Sequence, residues 1–196
     1  MSPLSATHLH SAGRWAIGVG LVAAAWGVMA LTPDTDFPKQ PFPVAATLGE
    51  PAEARNLRLT VLDVSGASEL SDAHGWSGPG PWLLVEFEAE AVSEEATASL
   101  QRIELRIGDR TYRATDRPLF AAPRERLRIG LPATATAAFE LPIDALEDSA
   151  QNRRAVVSFA YDDINRQLDS VVTHEVDLTQ ISFAAPAEIP DREWSR

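Results

Sequence analysis

The sequence predicts an all-β fold, an antiparallel immunoglobulin-like two-sheet sandwich preceded by one N-terminal transmembrane helix. Several segments alternate apolar and polar residues, which is typical of strands with one buried face. Turn residues separate these segments at short intervals, and no strand–long helix–strand repeat occurs, which argues against a parallel α/β fold. A single long uncharged apolar run lies near the N-terminus.

The apolar run extends from Trp15 to Leu31 and follows Arg14. At about 1.5 Å per residue, its 17 residues give roughly 25 Å of helix, against a hydrocarbon core of about 30 Å. We therefore expect residues 15–32 to form a transmembrane helix, a signal anchor in contact with the lipid bilayer. The basic flank before the run and the acidic residues after it predict that residues 1–14 form a short cytoplasmic tail and that the C-terminal domain is extracytoplasmic.

A cleaved signal peptide is the alternative interpretation of the same run. A basic residue, an apolar stretch and small residues at a cleavage site form the pattern of a secretory signal. Val28-Met29-Ala30 offers such a site. The domain would then be secreted, and both interpretations place it outside the cytoplasm.

The segments that flank the predicted domain are rich in proline. Residues 33–46 contain four prolines, which predict a semi-extended linker of about 3 Å per residue. Pro186 and Pro190 lie in residues 184–196, which we expect to form a flexible tail. The extracytoplasmic β-sandwich is therefore expected to occupy residues 47–183.

Alternating residues predict the strands within this domain. In chain order they are expected at residues 57–64, 82–90, 103–107, 110–115, 134–141, 155–161 and 171–178. Gly108-Asp109 between the third and fourth segments predicts a tight hairpin, and residues 143–149 suggest one helical turn. The predicted core consists of Leu59, Val61, Val85, Phe87, Ile103, Leu105, Phe139, Leu141, Val157, Phe159 and Val176.

The order of these segments carries a resemblance to a known family. The relevant stretches are WLLVEFEAE at 82–90, IELRIGDRTYRA at 103–114 and LRIGLPATATAAFELP at 127–142. They resemble the secreted immunoglobulin-like domains of unknown function found on anchored or lipid-linked proteins of Gram-positive bacteria. Gly130 takes the place of the family's turn glycine, and Phe139 to Pro142 that of its Phe-x-x-Pro-like strand end. The resemblance covers about residues 47–161 and implies the fold, with no activity.

Composition excludes several classes of function. Of 17 basic residues, 16 follow Arg14, as do all 28 acidic residues, so that this part has a net charge of −12. A domain this acidic lacks the basic surface that nucleic acid requires, so we predict no nucleic-acid partner. The absence of cysteine excludes disulfides, thiol catalysis and thiolate metal sites. We predict no cofactor.

One segment departs from the acidic background. Residues 102–128 contain eight arginines and four acidic residues, a local net charge of +4. Three of them would share one face of an extended strand: Arg124, Arg126 and Arg128. Such a patch suits an anionic wall polymer, lipid headgroups or an acidic partner. Alternatively, the arginines pair across strands with three acidic residues at alternate positions: Glu86, Glu88 and Glu90.

The loop around Trp76 is a second candidate binding element. An aromatic residue in a loop rich in Gly, Pro and Ser either anchors a partner or folds back over the end of the sandwich. The sequence GWSGPG at 75–80 resembles a serine nucleophile elbow only superficially, because Pro79 occupies the position of the second glycine.

No catalytic or metal-binding constellation is evident. His174 shares a strand face with Val172 and Val176, which predicts a partly buried histidine with a hydrogen-bond partner. The acidic turn at 162–169 lacks the glycine and the ligand spacing of a calcium loop. We therefore predict that the protein is not an enzyme and binds no metal. A hydrolase with an unrecognised site is the alternative.

Together these features predict a membrane-anchored extracytoplasmic β-sandwich. We expect it to act as a non-enzymatic interaction or accessory module beside a membrane or envelope protein partner, for example a membrane transporter or an envelope complex. The alternative is a binding module for an anionic cell-envelope component, which would use the arginine-rich segment 102–128.

Overall fold

The computed structural model describes residues 6–31, 41–95, 98–117, 126–161, 170–189 and 193–194. The chain divides into two compact units, Met1–Gln40 and Pro41–Arg196. Within the first, residues Ala6–Leu31 form helix α1. The described residues of the second form strands and short turns.

The strands follow the predicted alternation closely. They are β1 Phe42–Ala45, β2 Pro51–Glu53, β3 Leu57–Asp72, β4 Ser77–Ala91, β5 Arg102–Ile107, β6 Arg110–Arg113, β7 Ala133–Glu140, β8 Ala155–Ala160, β9 Ser170–Val176, β10 Ala187–Ile189 and β11 Glu193–Trp194. All seven predicted strands are present. Short 3-10 turns occupy Ile143–Leu146, Asn152–Arg154 and Leu178–Gln180, and the first of these confirms the predicted helical turn.

The strands form two sheets. One has the order β1-β9-β8-β5-β6, and the other has the order β10-β3-β4-β7-β11 with β2 also paired to β3. The predicted hairpin joins β5 to β6 through Gly108-Asp109. Gly108 has a φ of 56°, a left-handed conformation that tight hairpins require and glycine adopts without strain. The prediction of a two-sheet β-sandwich is confirmed.

The core lies between the two sheets. All eleven predicted core residues are buried there, and Phe87 from one sheet contacts Phe159 from the other with ring centroids 5.0 Å apart. A smaller apolar cluster lies on the other face of β4 and β7. Its buried members are Ala67, Leu70, Trp82, Leu84, Ala138 and Ile189. We call this second group the outer cluster.

The predicted linker and tail differ from the structure. Residues 42–45, expected in the linker, form β1 and pair in parallel with β9. Residues 187–189, expected in the flexible tail, form β10 and pair in parallel with β3. The sandwich is thus not purely antiparallel. These strands have only three or four residues each, too few for a pattern of apolar and polar residues to distinguish them from a loop.

The prediction of a transmembrane helix at 15–32 is not supported. In the part of the chain that the structure describes, no helix is both long enough and apolar enough to cross a membrane. The uncharged run has 17 residues, about 25 Å of helix.

Candidate functional site

Two arginines of the 102–128 segment pair with a carboxylate on their own sheet. Glu104 on β5 is only 9% exposed, and its Oε1 accepts a hydrogen bond from Arg102 Nη1 at 2.9 Å. Arg113 lies opposite Glu104 on β6, with its Nε 3.8 Å from the same oxygen. Because a buried carboxylate is costly without such partners, Arg102 and Arg113 have a structural role here.

Two further arginines of the segment pair with carboxylates beyond β5 and β6. Arg110 Nη2 lies 2.7 Å from Asp144 Oδ2, and Arg117 Nη1 lies 3.7 Å from Glu140 Oε2. The hydrogen bond from Arg110 lowers the pKa of the Asp144 carboxyl and raises the pKa of the Arg110 guanidinium. These exposed pairs neutralise part of the positive charge that the sequence concentrates in this segment.

Arg126 and Arg128 are arranged differently. Both are exposed and flank Leu127, which is fully buried and whose N–H donates to Ala98 O at 2.6 Å. The two arginines therefore share one outward face, as the alternation predicts. Among the described residues, neither forms an ion pair. Arg124 lies outside the described residues.

A turn with exposed apolar residues follows directly. Arg128 and Leu131 form an isolated bridge, and Gly130 between them has a φ of 69°. Ile129 is 50% exposed and Leu131 is 36% exposed. We call residues 126–131 the basic turn. The arginines of the basic turn were predicted from the sequence, whereas its exposed apolar residues, Ile129 and Leu131, were not. The sequence signal for these exposed residues was Gly130, a turn residue between Ile129 and Leu131.

The predicted pairing of the arginines with Glu86, Glu88 and Glu90 is corrected in one respect. Glu90 pairs with Arg58, its direct neighbour on β3, and Arg58 Nη2 also lies 3.1 Å from Glu53. The hydrogen bond with Glu90 is the main reason why the pKa of Arg58 is raised. For Glu90, cross-strand pairing does occur, but its arginine comes from outside the 102–128 segment.

Trp76 folds back onto the sandwich. Its ring meets that of Trp82 edge to face, with centroids 5.9 Å apart and planes at 82°, and it packs against the outer cluster. Its backbone N–H donates to Asp72 Oδ1 at 2.8 Å. The ring is half-buried, which corresponds to the second of the two alternatives for this residue.

The predicted hydrogen-bond partner of His174 is a backbone carbonyl. His174 is half-buried and its Nδ1 lies 2.9 Å from Ala46 O. Because a carbonyl can only accept, Nδ1 carries the proton. The backbone N–H of His74 donates to Asp72 Oδ1 at 2.9 Å. The acidic turn at 162–169 lies outside the described residues. Within the described ranges, no group of three or more His, Asp or Glu side chains could hold a metal ion.

Comparison with known proteins identified no family. No family model and no curated protein matches the chain. An uncharacterized β-sandwich protein from Clostridium difficile matches with a TM-score of 0.48 and 11% identity over 74% of this chain and 99% of that chain. The yjhA protein from Bacillus subtilis matches with a TM-score of 0.44 and 14% identity over 66% of this chain and 99% of that chain. Both organisms are Gram-positive bacteria.

Proposed function

We propose that the protein is a non-enzymatic interaction module, an extracytoplasmic immunoglobulin-like β-sandwich attached to a membrane through helix α1. It would serve a membrane or envelope protein partner as an accessory subunit. The observation that carries this proposal is the exposure of apolar side chains on α1.

The apolar residues of α1 are exposed on every side of the helix. The large apolar side chains from Trp15 to Leu31 are between 65% (Val19) and 85% (Leu31) exposed. At about 100° per residue they are distributed around the whole axis. Covering one such side chain is worth about 1.5–3 kcal/mol. An apolar helix without a polar face favours immersion in lipid, or enclosure by a membrane protein, over lying on a surface.

Membrane attachment is testable by fractionation of the full chain at alkaline pH. We expect the wild-type protein in the membrane pellet. Val22→Arg places a charge in the middle of the run, which costs about 2.5–3.5 kcal/mol in an apolar environment, so it should shift the protein toward the supernatant. Ile143→Arg, at an 80% exposed apolar residue of the sandwich, is the matched control and should stay in the pellet. Wild-type protein in the supernatant would contradict the proposal.

The cleaved form and the orientation need separate measurements. Intact mass distinguishes the full chain from a product that begins after Ala30. Because the chain has no cysteine, Glu175→Cys reports the location of the sandwich, since Glu175 is exposed. We expect an impermeant maleimide to label it in intact cells and to label Ser2→Cys only after lysis. The reverse pattern would contradict an extracytoplasmic sandwich.

The strand order supports an immunoglobulin-like assignment. In that fold one sheet contains strands A, B and E, and the other contains C′, C, F and G. Here β3-β4-β7 are neighbours in one sheet and β6-β5-β8-β9 are neighbours in the other. In chain order, β3 to β9 would then correspond to strands A, B, C, C′, E, F and G, and each lies in the sheet that the immunoglobulin fold assigns to it. This topology is also the part of the family resemblance that the described residues support.

The second candidate function is recognition of an anionic envelope component by the basic turn. It is favoured by two exposed arginines without ion pairs among the described residues, on a domain that is otherwise acidic. The test is binding of the full chain in detergent to poly(glycerol phosphate). We expect affinity to fall with added salt because exposed charges are screened. Arg126→Glu with Arg128→Glu should abolish binding.

The control for this test is Arg55→Glu with Arg154→Glu, which makes the same change of charge at two exposed residues outside the segment. Equal binding by the wild type, the double variant and the control would exclude the basic turn as the site. The interaction-module proposal would remain unaffected, because it depends on α1.

A further inference from the structure

On the side of β3 that faces away from β4, residues Leu70–Asp72 are covered by strand β10 of the C-terminal chain. β10 pairs with β3 in parallel, with Ala187, Glu188 and Ile189 opposite Leu70, Ser71 and Asp72. One backbone hydrogen bond extends the contact, from Ser68 N–H to Ala185 O at 2.9 Å. The chain thus completes its own sheet edge by adding a strand.

One side chain anchors this strand. Ile189 is 2% exposed and belongs to the outer cluster, where it packs with Trp82 and Leu84 of β4. Trp76 and Ala187 lie partly buried at the margin of the cluster. Backbone pairing together with a pocket for an alternate side chain is how extended peptides are recognised at sheet edges. The edge of β3 and the outer cluster therefore form a strand-acceptor site, here occupied in cis.

The occupying strand is attached through a short hinge. The chain just before it is fixed, because a Cβ on Gly66 would lie 2.7 Å from both Ser182 O and the ring of Phe183. Residues 184–186 are exposed and end in a proline. Two side-chain hydrogen bonds beyond the backbone ladder are long, at 3.4 Å from Ser68 Oγ to Ala184 O and 3.3 Å from Ser71 Oγ to Ala187 O. A three-residue parallel ladder is the weaker kind of pairing.

We propose that this site also accepts residues 187–189 of a second copy, giving a strand-exchanged dimer. The fit of the occupant is visible in the structure, because the exchanged strand would make the same backbone bonds and bury the same isoleucine. The hinge at 184–186 changes course and gives up the bond between Ser68 and Ala185, and β11 moves with β10 to pair with β7 of the second copy. Exchange of an identical terminal element is a low-cost route to a closed, symmetric dimer.

Cysteine pairs split between two chains test the exchange. Ser71 and Glu188 are opposite each other and at least partly exposed, and the natural chain has no cysteine. We mix Ser71→Cys and Glu188→Cys proteins in detergent, unfold and refold them together, and oxidise. Strand exchange predicts a disulfide-linked heterodimer on a non-reducing gel. The pair Leu70→Cys with Ala187→Cys, also opposite each other in this ladder, repeats the test in case one variant fails to fold.

The matched control is Arg106→Cys mixed with Thr111→Cys. These residues are opposite each other on β5 and β6 and both are exposed, but their strands are joined by a two-residue turn that does not permit exchange. The proposal is supported if either cysteine pair of the strand-acceptor site gives more disulfide-linked heterodimer than this control. No heterodimer from both folded pairs, or the same amount as the control, would overturn it. Placing Ser71→Cys and Glu188→Cys in one chain should give an oxidised monomer that no longer dimerises.

Discussion

The centre of the sandwich and its terminal strands are stabilised in different ways. Strand β4 pairs antiparallel with β3 over thirteen of its fifteen residues and with β7 over eight residues, and its alternate side chains fill the core. Strands β1 and β10 each add three or four residues in parallel to the edge of a sheet. The centre combines long ladders with deep burial, while each terminal strand depends on a short ladder and few buried side chains.

This difference determines where the molecule opens first. Local opening requires the least free energy where few apolar contacts and short ladders hold a segment. We expect β10 and β1 to open without loss of the core, while β4 opens only when the whole sandwich unfolds. The strand-acceptor site depends on this difference, since β10 must be released while β3 stays folded.

The largest expected effect is at the centre. Phe87→Ala removes a fully buried ring that contacts Phe159, and large-to-small changes of this kind cost about 3–5 kcal/mol. Denaturant unfolding measures the loss. The matched control is Phe42→Ala on β1, where the ring is 58% exposed and we expect less than about 1 kcal/mol. Equal losses would refute the proposed difference between centre and terminus.

The next effect concerns the anchor of β10. Ile189→Ala creates a gap in the outer cluster, and we expect about 2 kcal/mol, the lower end for a buried isoleucine, because the strand can detach and leave the core intact. Hydrogen exchange should accelerate in β10 and on the outer edge of β3, with β4 still protected. Glu188→Ala, at an exposed neighbour, should leave exchange unchanged. Faster exchange throughout β4 would show that the outer cluster supports the whole fold.

The same difference explains how far the sequence predicted the fold. Strands such as β5 have one face in the core, so burial imposes a period of two that local sequence displays. Strands β1 and β10 are selected by pairing with β9 and β3, residues more than one hundred positions away. Pro43 within β1 further disguises it, because proline is disfavoured in strands except at sheet edges.

The candidate site was predictable in part for a related reason. Alternation sufficed to place Arg126 and Arg128 on one face, because Leu127 between them is buried. It did not reveal which arginines are neutralised, because Arg110 meets Asp144 only through tertiary structure. Cross-strand neighbours such as Arg58 and Glu90 depend on register, which a single strand pattern does not specify.

A third prediction concerns the end of the β3–β4 pair, where one side chain holds the loop after β4. Asn56 Oδ1 accepts from the N–H groups of Ser93 and Glu94 at 2.8 and 2.9 Å, and its Nδ2 donates to Glu94 O at 2.8 Å. Asn56→Ala should cost about 1 kcal/mol, between the anchor effect and that of an exposed ion pair, measured by thermal unfolding. Asn56→Asp keeps the acceptor and should restore part of the loss. If Asn56→Ala and Asn56→Asp had equal thermal stability, the bonds that Asn56 Oδ1 accepts would add nothing to stability, because water replaces them.

The smallest effect is expected at the exposed pair between Arg110 and Asp144. The hydrogen bond from Arg110 lowers the folded-state pKa of the Asp144 carboxyl. The pair therefore stabilises the fold at pH values above the ordinary aspartate pKa, and this contribution is lost as the pH falls through the lowered folded-state value. Asp144→Asn should be slightly less stable than the wild type at neutral pH, and the two should converge in acid. In an Arg110→Gln background, which lacks the partner of Asp144, Asp144→Asn should show no such convergence. Because exposed pairs contribute little, a large difference at neutral pH would mean that this pair supports the β5–β6 hairpin in the way that Phe87 supports the core.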